Sequence, residues 1–233
     1  MTENKIILMI ISGLGGIQSG PNMLTELQQA HKPNLNGLMR KAVCGLLHTA
    51  ERGKKPEKLN ALTGLLGYGS GPAVPFSKRF HRKAAIISAD PMVWRVAAKF
   101  AIPVHKCPEG VAGPFTLSVP DRWDILILHL SAAEACSVQK EYYEKVKILE
   151  EIDQHIPELL QLKPSVFCVT GDVTIPTAVG RITWHPVPVM IHATTCRYDM
   201  VQTFDEIACM QGGLKLISAK ELMPLLLAHA ELN

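Results

Sequence analysis

The sequence has 233 residues, a formal net charge of +3 and 47% hydrophobic residues, which is typical of a globular protein with a sizeable core. The small net charge argues against a nucleic-acid partner, and no run reaches the roughly 18 apolar residues of a membrane span. The first residues also lack a signal-peptide pattern. We therefore predict a single-domain cytoplasmic protein that does not bind membranes.

The first apolar run predicts the centre of the fold. Residues 6–11 are continuously apolar and rich in β-branched side chains, and the glycine-rich turn Ser12-Gly13-Leu14-Gly15-Gly16 follows. Such a run predicts a strand that is buried on both faces, as in parallel sheets. Open α/β sheets place their sites beyond the carboxyl ends of the strands, so we expect this turn to line any site. The turn is not a dinucleotide loop, because Gln18 breaks the G-x-G-x-x-G pattern.

The remainder of the first half predicts short elements separated by polar segments. We expect helices at residues 23–30 and from Pro33, with Asn34 as the cap of the second. Residues 43–50 indicate a strand, residues 51–58 a charged loop and residues 59–68 a short helix. Residues 69–83 contain glycines, prolines and the basic run "KRFHRK", which indicates a solvated loop more than an anion site.

The second half alternates clearly between strands and helices. Strands are predicted at residues 84–89, 102–108, 124–130, 165–172 and 187–193. Helices are predicted at residues 91–99, 142–160 and 220–232, the last begun at Ser218, and residues 109–120 are predicted to form a loop. This alternation predicts an α/β domain with a central, mainly parallel sheet covered by helices on both faces.

The cysteines do not indicate a metal site. None of the six forms a C-x-x-C pair, and several lie within apolar runs. We interpret them as free, buried thiols in a reducing compartment. They are Cys44, Cys107, Cys136, Cys168, Cys196 and Cys209.

Several motifs in a fixed order indicate a family. They include "ISGLGG" at the first strand, "LTGLLGYGSG" from Leu62, "DILILHLSAAEA" from Asp124, "VTGDVTIP" from Val169 and "HPVPVMI" from His185. With them, the chain resembles the archaeal-type, cofactor-independent phosphoglycerate mutases of the alkaline phosphatase superfamily. The resemblance implies an alkaline-phosphatase-like core over residues 1–233. It also implies that an inserted domain is missing, because only residues 69–83 stand where family members carry it.

The resemblance also implies the loss of the family's nucleophile. The family's chemistry uses two divalent metals, which polarise phosphoryl oxygens and lower the pKa of a hydroxyl nucleophile. By the resemblance, Ser12 stands at the position of a metal-binding aspartate and Lys58 at the position of the nucleophile. Thr63 falls on the family's apolar helix, so we do not assign it as a substitute. Lys58 would attract an anion such as phosphate, sulfate or a carboxylate.

The other metal-ligand positions are also changed. The resemblance places Glu134 and Val138 at an aspartate and a histidine, Val173 at a second histidine, and residues near Ile182 at a third. Asp172 alone is retained. We therefore expect no metal cofactor and no catalytic residue, and a residual, water-exposed ligand cleft. Its lining would be Ser12, Lys58, Glu134, Asp172 and His185.

Individual polar residues also have simpler interpretations. Asp172 is more consistent with a carboxylate that caps the turn after its strand than with a ligand. His129 lies within an apolar strand, where one hydrogen bond usually satisfies a histidine. His185 could join Glu134 and Asp172 in a partial, one-metal site, the only such set that we can assemble.

Three hypotheses for function remain open at this point. The first, which we favour, is an inactive homologue with a binding or assembly role, whose partner is a small anionic metabolite, a protein or a second copy of the chain. The second is a functional phosphoglycerate mutase. The third is another metal-dependent hydrolase that uses Glu134, Asp172 and His185. Metal content and activity on phosphoglycerates would separate them.

Overall fold

The computed structural model describes residues 4–50, 53–116 and 123–232. Within these residues, eight strands form one sheet in the order β4-β3-β5-β1-β6-β7-β2-β8. The strands are β1 (Ile6–Ile11), β2 (Ala42–His48), β3 (Ala84–Ser88), β4 (Val104–Lys106), β5 (Ile125–Leu130), β6 (Val166–Gly171), β7 (Val187–Ala193) and β8 (Lys215–Ser218). β1 lies between β5 and β6 and is parallel to both.

Helices cover both faces of this sheet. They are α1 (Glu26–Gln29), α2 (Pro33–Met39), α3 (Lys58–Leu65), α4 (Phe76–Phe80), α5 (Pro91–Lys99), α6 (Ala132–Gln139), α7 (Tyr142–Gln154), α8 (Ile156–Gln161), α9 (Glu206–Cys209) and α10 (Ala219–His229). None of the helices in the described residues is long and apolar enough to cross a membrane.

The continuous apolar run of β1 forms two cores because successive side chains point to opposite faces of a sheet. Ile6, Leu8 and Ile10 pack with α3, α5 and α10 on one face. Ile7 and Met9 pack with α1, α2, α7 and α8 on the other. The predicted α/β fold with a sheet covered on both faces is therefore confirmed. The predicted strands of β1, β3, β5, β6 and β7 are all present and buried.

One strand runs against the others. β7 is antiparallel to both β6 and β2, whereas the remaining neighbouring pairs are parallel. The sheet is therefore mainly parallel, as predicted. An apolar run such as that of β7 shows burial but carries no information on direction.

Several predicted helix limits are wrong for local reasons. Asn34 does not cap α2, which begins at Pro33 after Lys32. The backbone N–H of Asn34 instead donates to Asp153 Oδ2 at 3.0 Å. The long helix predicted at residues 142–160 is divided into α7 and α8, because Pro157 lies in the first turn of α8 and cannot continue a helix.

The segment at residues 69–83 contains the short helix α4. Phe76 is buried, and its ring packs on that of Phe80 at 4.7 Å between centroids. Two residues of the basic run are also engaged, since the Arg79 guanidinium lies over the Tyr68 ring and Arg82 Nε donates to Leu232 O at 3.1 Å. The helices α6 and α9 and the strand β8 were not predicted. The loops predicted at residues 51–58 and 109–120 lie partly outside the described residues.

The terminal helix begins as predicted. Ser218 is the N-cap of α10, and a capping box joins it to Glu221. Among the described cysteines, all six are free thiols. Four of them are buried, whereas Cys107 and Cys136 are partly exposed.

Candidate functional site

The strongest cluster of polar side chains lies at the carboxyl ends of the central strands. Ser12 follows β1, Asp172 follows β6, and His129 is the penultimate residue of β5. Because these three strands are parallel neighbours, their carboxyl ends meet at one edge of the sheet. The position of the cluster beyond β1 is the one that the sequence predicted.

Ser12 connects two carboxylates. Its Oγ lies 2.8 Å from Glu134 Oε2 and 2.9 Å from Asp172 Oδ2. A serine hydroxyl has one proton, so it donates to one of these oxygens at a time. Ser12 is fully buried, which makes the hydroxyl a neutral bridge between two acidic groups.

Asp172 closes the turn after its strand, as the sequence predicted. Its Oδ1 accepts from the backbone N–H groups of Gly13 at 3.2 Å and Val173 at 2.7 Å. Gly13 has φ +73°, and a Cβ there would lie 3.2 Å from Glu134 Cα, so the turn requires a glycine. The carboxylate of Asp172 therefore fixes the β1 turn against β6.

His129 is satisfied within the core, in agreement with the simpler interpretation of the sequence. Its Nε2 lies 3.3 Å from Asp172 Oδ2, and its Nδ1 lies 3.3 Å from Ser88 Oγ. The histidine thus has two partners where the sequence predicted one. Ser88 ends β3, so the chain of hydrogen bonds runs across β6, β5 and β3.

Lys58 is the cation of the cluster. It is the first residue of α3, and its Nζ donates to Asp90 Oδ2 at 2.6 Å and to Glu134 Oε2. The side chain of Lys58 is 9% exposed, against 15% for Asp90 and 27% for Glu134. The ammonium therefore lies between two carboxylates in a mostly buried position.

The pKa values of these groups favour the charged forms. Burial opposes the charge of Lys58, but Asp172 and the hydrogen bonds to Asp90 and Glu134 raise its pKa above the ordinary lysine value. Burial would raise the pKa of Asp90, but the Lys58 ammonium lowers it below the usual range. The pKa of Asp172 is likewise lowered, because His129, Lys58 and Ser12 outweigh the effect of burial.

The predicted open cleft is not found at this cluster. Ser12, His129 and Asp172 are each at most 1% exposed, and Lys58 is 8% exposed. α3 covers the cluster through Lys58, and α6 covers it through Glu134. Lys58 is directed at carboxylates of its own chain. The attraction of an external anion to Lys58 stays a prediction.

Two positions that the resemblance assigns to metal-binding histidines are apolar and packed together. Val173 is fully buried with Ala61 and Ile175, and Ile182 packs against them. Valine and isoleucine have no donor atom for a metal ion. The third such position, Val138, is 53% exposed and lies on α6.

His185 has its own partners outside the cluster. Its Nδ1 lies 3.0 Å from Thr183 Oγ1, and its ring stacks on Trp184 at 4.9 Å between centroids. Throughout the described residues, no three His, Cys, Asp or Glu side chains gather so that they could hold a metal ion. The set of Glu134, Asp172 and His185 is therefore not assembled as a metal site.

Asp90 and Ser88 are members of the cluster that the sequence analysis missed. Asp90 caps α5, since its Oδ1 accepts from Met92 N at 2.7 Å, and its own N–H donates to Ser88 Oγ. The signal was present, because an Asp-Pro pair directly after a buried strand places a carboxylate at the carboxyl edge of the sheet.

Comparisons with known proteins indicate a family resemblance. Residues 116–229 match the model of the metalloenzyme superfamily. A probable 2,3-bisphosphoglycerate-independent phosphoglycerate mutase of Thermotoga petrophila is 32% identical over 168 residues, which are 70% of this chain and 42% of that relative. The second half of the chain is therefore similar to the metalloenzyme superfamily. The chain spans about two fifths of the length of the curated relatives it matches.

Solved structures share the fold of this chain. The PH0037 protein from Pyrococcus horikoshii matches with a TM-score of 0.91 and 18% identity, over 100% of this chain and 98% of that one. The cofactor-independent phosphoglycerate mutase from Thermoplasma acidophilum matches with a TM-score of 0.73 and 14% identity, over 97% and 100% of the chains. The alkaline phosphatase from the Antarctic bacterium TAB5 matches with a TM-score of 0.54 and 8% identity, over 98% of each chain.

The residues present do not fit the metal ions that the superfamily's name implies. A divalent ion of this kind needs several carboxylate or imidazole ligands that are free to bind it. Here the Lys58 ammonium engages Asp90 and Glu134, and backbone N–H groups engage Asp172. The carboxylates that would bind a metal ion therefore already have partners within the chain.

Proposed function

We propose that this chain is a member of the metalloenzyme superfamily that does not catalyse metal-dependent phosphoryl transfer and has a binding or assembly role. The observation that carries the proposal is the Lys58 ammonium, held between Asp90 and Glu134 beside the bridging Ser12. In this arrangement the lysine supplies the positive charge that metal ions supply in metal-dependent enzymes.

Electrostatics support the proposal. Two unit charges 4 Å apart interact by about 4 kcal/mol at the effective dielectric constant of about 20 found near protein surfaces. A divalent ion beside Lys58 would experience twice this repulsion. Because the pKa of Lys58 is raised, the ammonium stays charged at neutral pH, and deprotonation does not relieve the repulsion.

The chemistry of the residues supports the same conclusion. A charged lysine is not a nucleophile, and the Ser12 hydroxyl lies between two carboxylates, whose negative charges oppose its conversion to an alkoxide. Val173 and Ile182 form part of an apolar cluster beside the carboxyl end of β6. Phosphoryl transfer by a two-metal mechanism needs two metal ions and an activated oxygen. Among the described residues, no group of three His, Cys, Asp or Glu side chains could hold either ion.

The test uses the purified full chain. After treatment with a chelator, the protein is titrated with Mn²⁺, Zn²⁺ and Mg²⁺ and assayed for conversion of 3-phosphoglycerate to 2-phosphoglycerate, since relatives are named probable phosphoglycerate mutases. We expect no stoichiometric binding of two ions and no turnover above a blank. Turnover that Ser12→Ala abolishes, or two tightly bound ions per chain, would contradict the proposal.

A gain-of-binding variant tests the role of Lys58 directly. In Lys58→Ser, Asp90 and Glu134 lose their internal cation, so Mn²⁺ affinity should rise by about tenfold or more, the equivalent of ~1.4 kcal/mol. Lys147→Ser is the matched control, because Lys147 also pairs with a glutamate, Glu144, but is exposed. An equal change in both variants would mean that net charge, not the Lys58 network, controls metal affinity.

A further inference from the structure

A separate cleft of about 360 Å³ lies at the carboxyl ends of β2 and β8. The end of β2, the start of α10, the exposed side of α3 and residues 68–71 form its walls. Lys58, Asp90, Glu134 and Asp172 do not line it. The volume falls within the range of about 300–1,000 Å³ that is usual for small-molecule sites.

The charge of this cleft is strongly positive. Four lysines line it, and no aspartate or glutamate is among its described lining residues. The lysines are Lys54, Lys55, Lys99 and Lys220. They come from three separate parts of the chain, so their proximity is a property of the fold and not of a basic run in the sequence.

Hydrogen-bonding groups accompany the lysines. His48, Thr49, Thr63, Ser70 and Ser218 also line the cleft. The Thr63 hydroxyl donates to Leu59 O at 2.8 Å, and the hydroxyls of Thr49, Ser70 and Ser218 are groups that can donate to anionic oxygens. The cleft lies at the amino end of α10, an eleven-residue helix, whose dipole adds positive potential there.

Two carboxylates of the described residues that are close in sequence to the lining residues accept hydrogen bonds of their own. Glu57 Oε2 accepts from Asn60 Nδ2 at 3.2 Å, and Glu221 Oε2 accepts from the backbone N–H of Ser218 at 2.7 Å. Neither is a lining residue, so Lys55, Lys99 and Lys220 contribute positive charge to the cleft that these two carboxylates do not face.

Helix packing fixes the shape of the cleft. Gly64 on α3 allows α10 to approach closely, because a Cβ at Gly64 would lie 3.1 Å from Ala219 Cβ. The ring of Tyr68 stacks on Phe100 at 3.7 Å, next to Lys99. Lys99 and Lys220 therefore lie on walls that the core holds in place.

We propose that this cleft binds a small, multiply charged anion, with phosphate groups as the preferred chemistry. The ammonium groups of Lys55, Lys99 and Lys220 lie around one small volume and repel one another, and an anion between them relieves that repulsion. Hydroxyl and imidazole donors beside the ammonium groups suit phosphate oxygens. This inference goes beyond the proposed function and does not depend on the loss of catalysis, because its residues are not those of the Lys58 network.

The experiment is a titration of the full chain with inorganic pyrophosphate, followed by calorimetry and by backbone amide chemical shifts. A titration with citrate tests whether carboxylates bind as well as phosphates. A titration with sodium chloride measures the effect of ionic strength alone. The test variant is Lys99→Gln/Lys220→Gln. The matched control is Lys83→Gln/Lys163→Gln, which removes the same charge from two exposed lysines just before β3 and β6, at the opposite edge of the sheet.

The expected result is saturable binding of pyrophosphate with shifts at residues 48–49, 59–64 and 218–220. At about 1 kcal/mol for each charge pair in water, the test variant should bind about tenfold or more weakly, and the control should bind as the wild type does. Tighter binding of citrate would overturn the phosphate preference. Equal losses in both variants, or shifts at neither the α3 nor the α10 wall, would overturn the site itself.

Discussion

Lys58 and Lys145 both lie among carboxylates near the glycine turn of residues 12–16, yet burial and hydrogen bonding move their pKa values in opposite directions. The Lys58 ammonium contacts carboxylate oxygens of Asp90 and Glu134 directly, and its pKa is raised. Lys145 is fully buried, and its pKa is lowered because desolvation outweighs the nearby carboxylates.

The hydrogen bonds explain the difference. Lys145 Nζ donates to the carbonyls of Ile175 at 3.0 Å and Gly15 at 3.3 Å, and lies 3.8 Å from Glu26 Oε1. Glu26 Oε1 instead accepts from the backbone N–H and the hydroxyl of Thr177. The carboxylates near Lys145 thus obtain their hydrogen bonds elsewhere, and the lysine ties α7 to the glycine turn.

Glu206 completes this second cluster. It accepts from Gly16 N at 2.6 Å and from Thr25 Oγ1 at 2.8 Å. Burial raises its pKa despite these hydrogen bonds. Similar residue types therefore form two different clusters. The one at Lys58 is a charged ion-pair network, and the one of Lys145, Glu26 and Glu206, here called the clamp, is buried and holds α7 to the glycine turn. The composition of a cluster does not determine its electrostatics, because the pKa depends on which oxygens receive the ammonium protons.

The largest expected effect comes from breaking the clamp. Lys145→Met leaves the carbonyls of Gly15 and Ile175 unsatisfied and two buried carboxylates without their cation, so unfolding free energy should fall by about 3–5 kcal/mol. Urea denaturation followed by circular dichroism measures the loss. The control Lys147→Met, two residues along α7 and exposed, should change stability by less than about 0.5 kcal/mol. Comparable losses in the two variants would show that Lys145 is not a clamp.

A smaller effect is expected from Lys58→Met. Asp90 and Glu134 are partly exposed, so water compensates for some of the lost ion pairing, and we expect a loss of about 2 kcal/mol. Because the folded pKa of Lys58 is raised, its contribution is fully present below the unfolded value of about 10.4 and is lost only as pH rises through the folded value. The deficit relative to wild type should therefore stay constant between pH 6 and 9. A deficit that disappears within this window would disprove the assignment.

The smallest effect isolates one ion pair. Asp90→Asn keeps a side chain that caps α5 but removes the negative charge next to Lys58, at an expected cost of about 1 kcal/mol at pH 7. The pKa of Asp90 is lowered, so its contribution is present above the unfolded value of about 3.9 and is lost as pH falls through the folded value. Wild type and variant should accordingly converge as the pH falls below the folded pKa of Asp90. Denaturation at several pH values measures this, and a gap that does not depend on pH would argue against the ion pair.

Much of the fold was predictable from the sequence, because the continuous apolar runs of the central strands match the burial of these strands in the structure. The run at β1 and the runs at β5 and β6 specify strands that are buried on both faces, and the structure confirms them. The edge strand β8 pairs only with β2 and has no such run, and the four-residue helix α9 is too short for a periodic pattern. The direction of β7 depends on connections that apolar patterning does not encode.

The candidate site was predictable in position but not in its contacts. The glycine turn and the end of β6 were correctly placed at one edge of the sheet, and Asp172 was correctly interpreted as a turn cap. That Lys58 would meet Asp90 and Glu134 depends on how α3, α5 and α6 pack against one another. Such packing between distant segments is not visible in the spacing of residues along the chain.

The place of β2 in the sheet has a consequence for the order of folding. β2 is made early, but its two neighbours in the sheet are β7 and β8, both of which lie in the last quarter of the sequence. During synthesis, β2 therefore remains without a strand partner until almost the whole chain has left the ribosome. Pairings between such distant segments slow folding and leave an apolar strand edge exposed in the meantime. A chain that ends after β6 would expose this edge permanently and should aggregate, whereas a chain that contains β7 and β8 covers it.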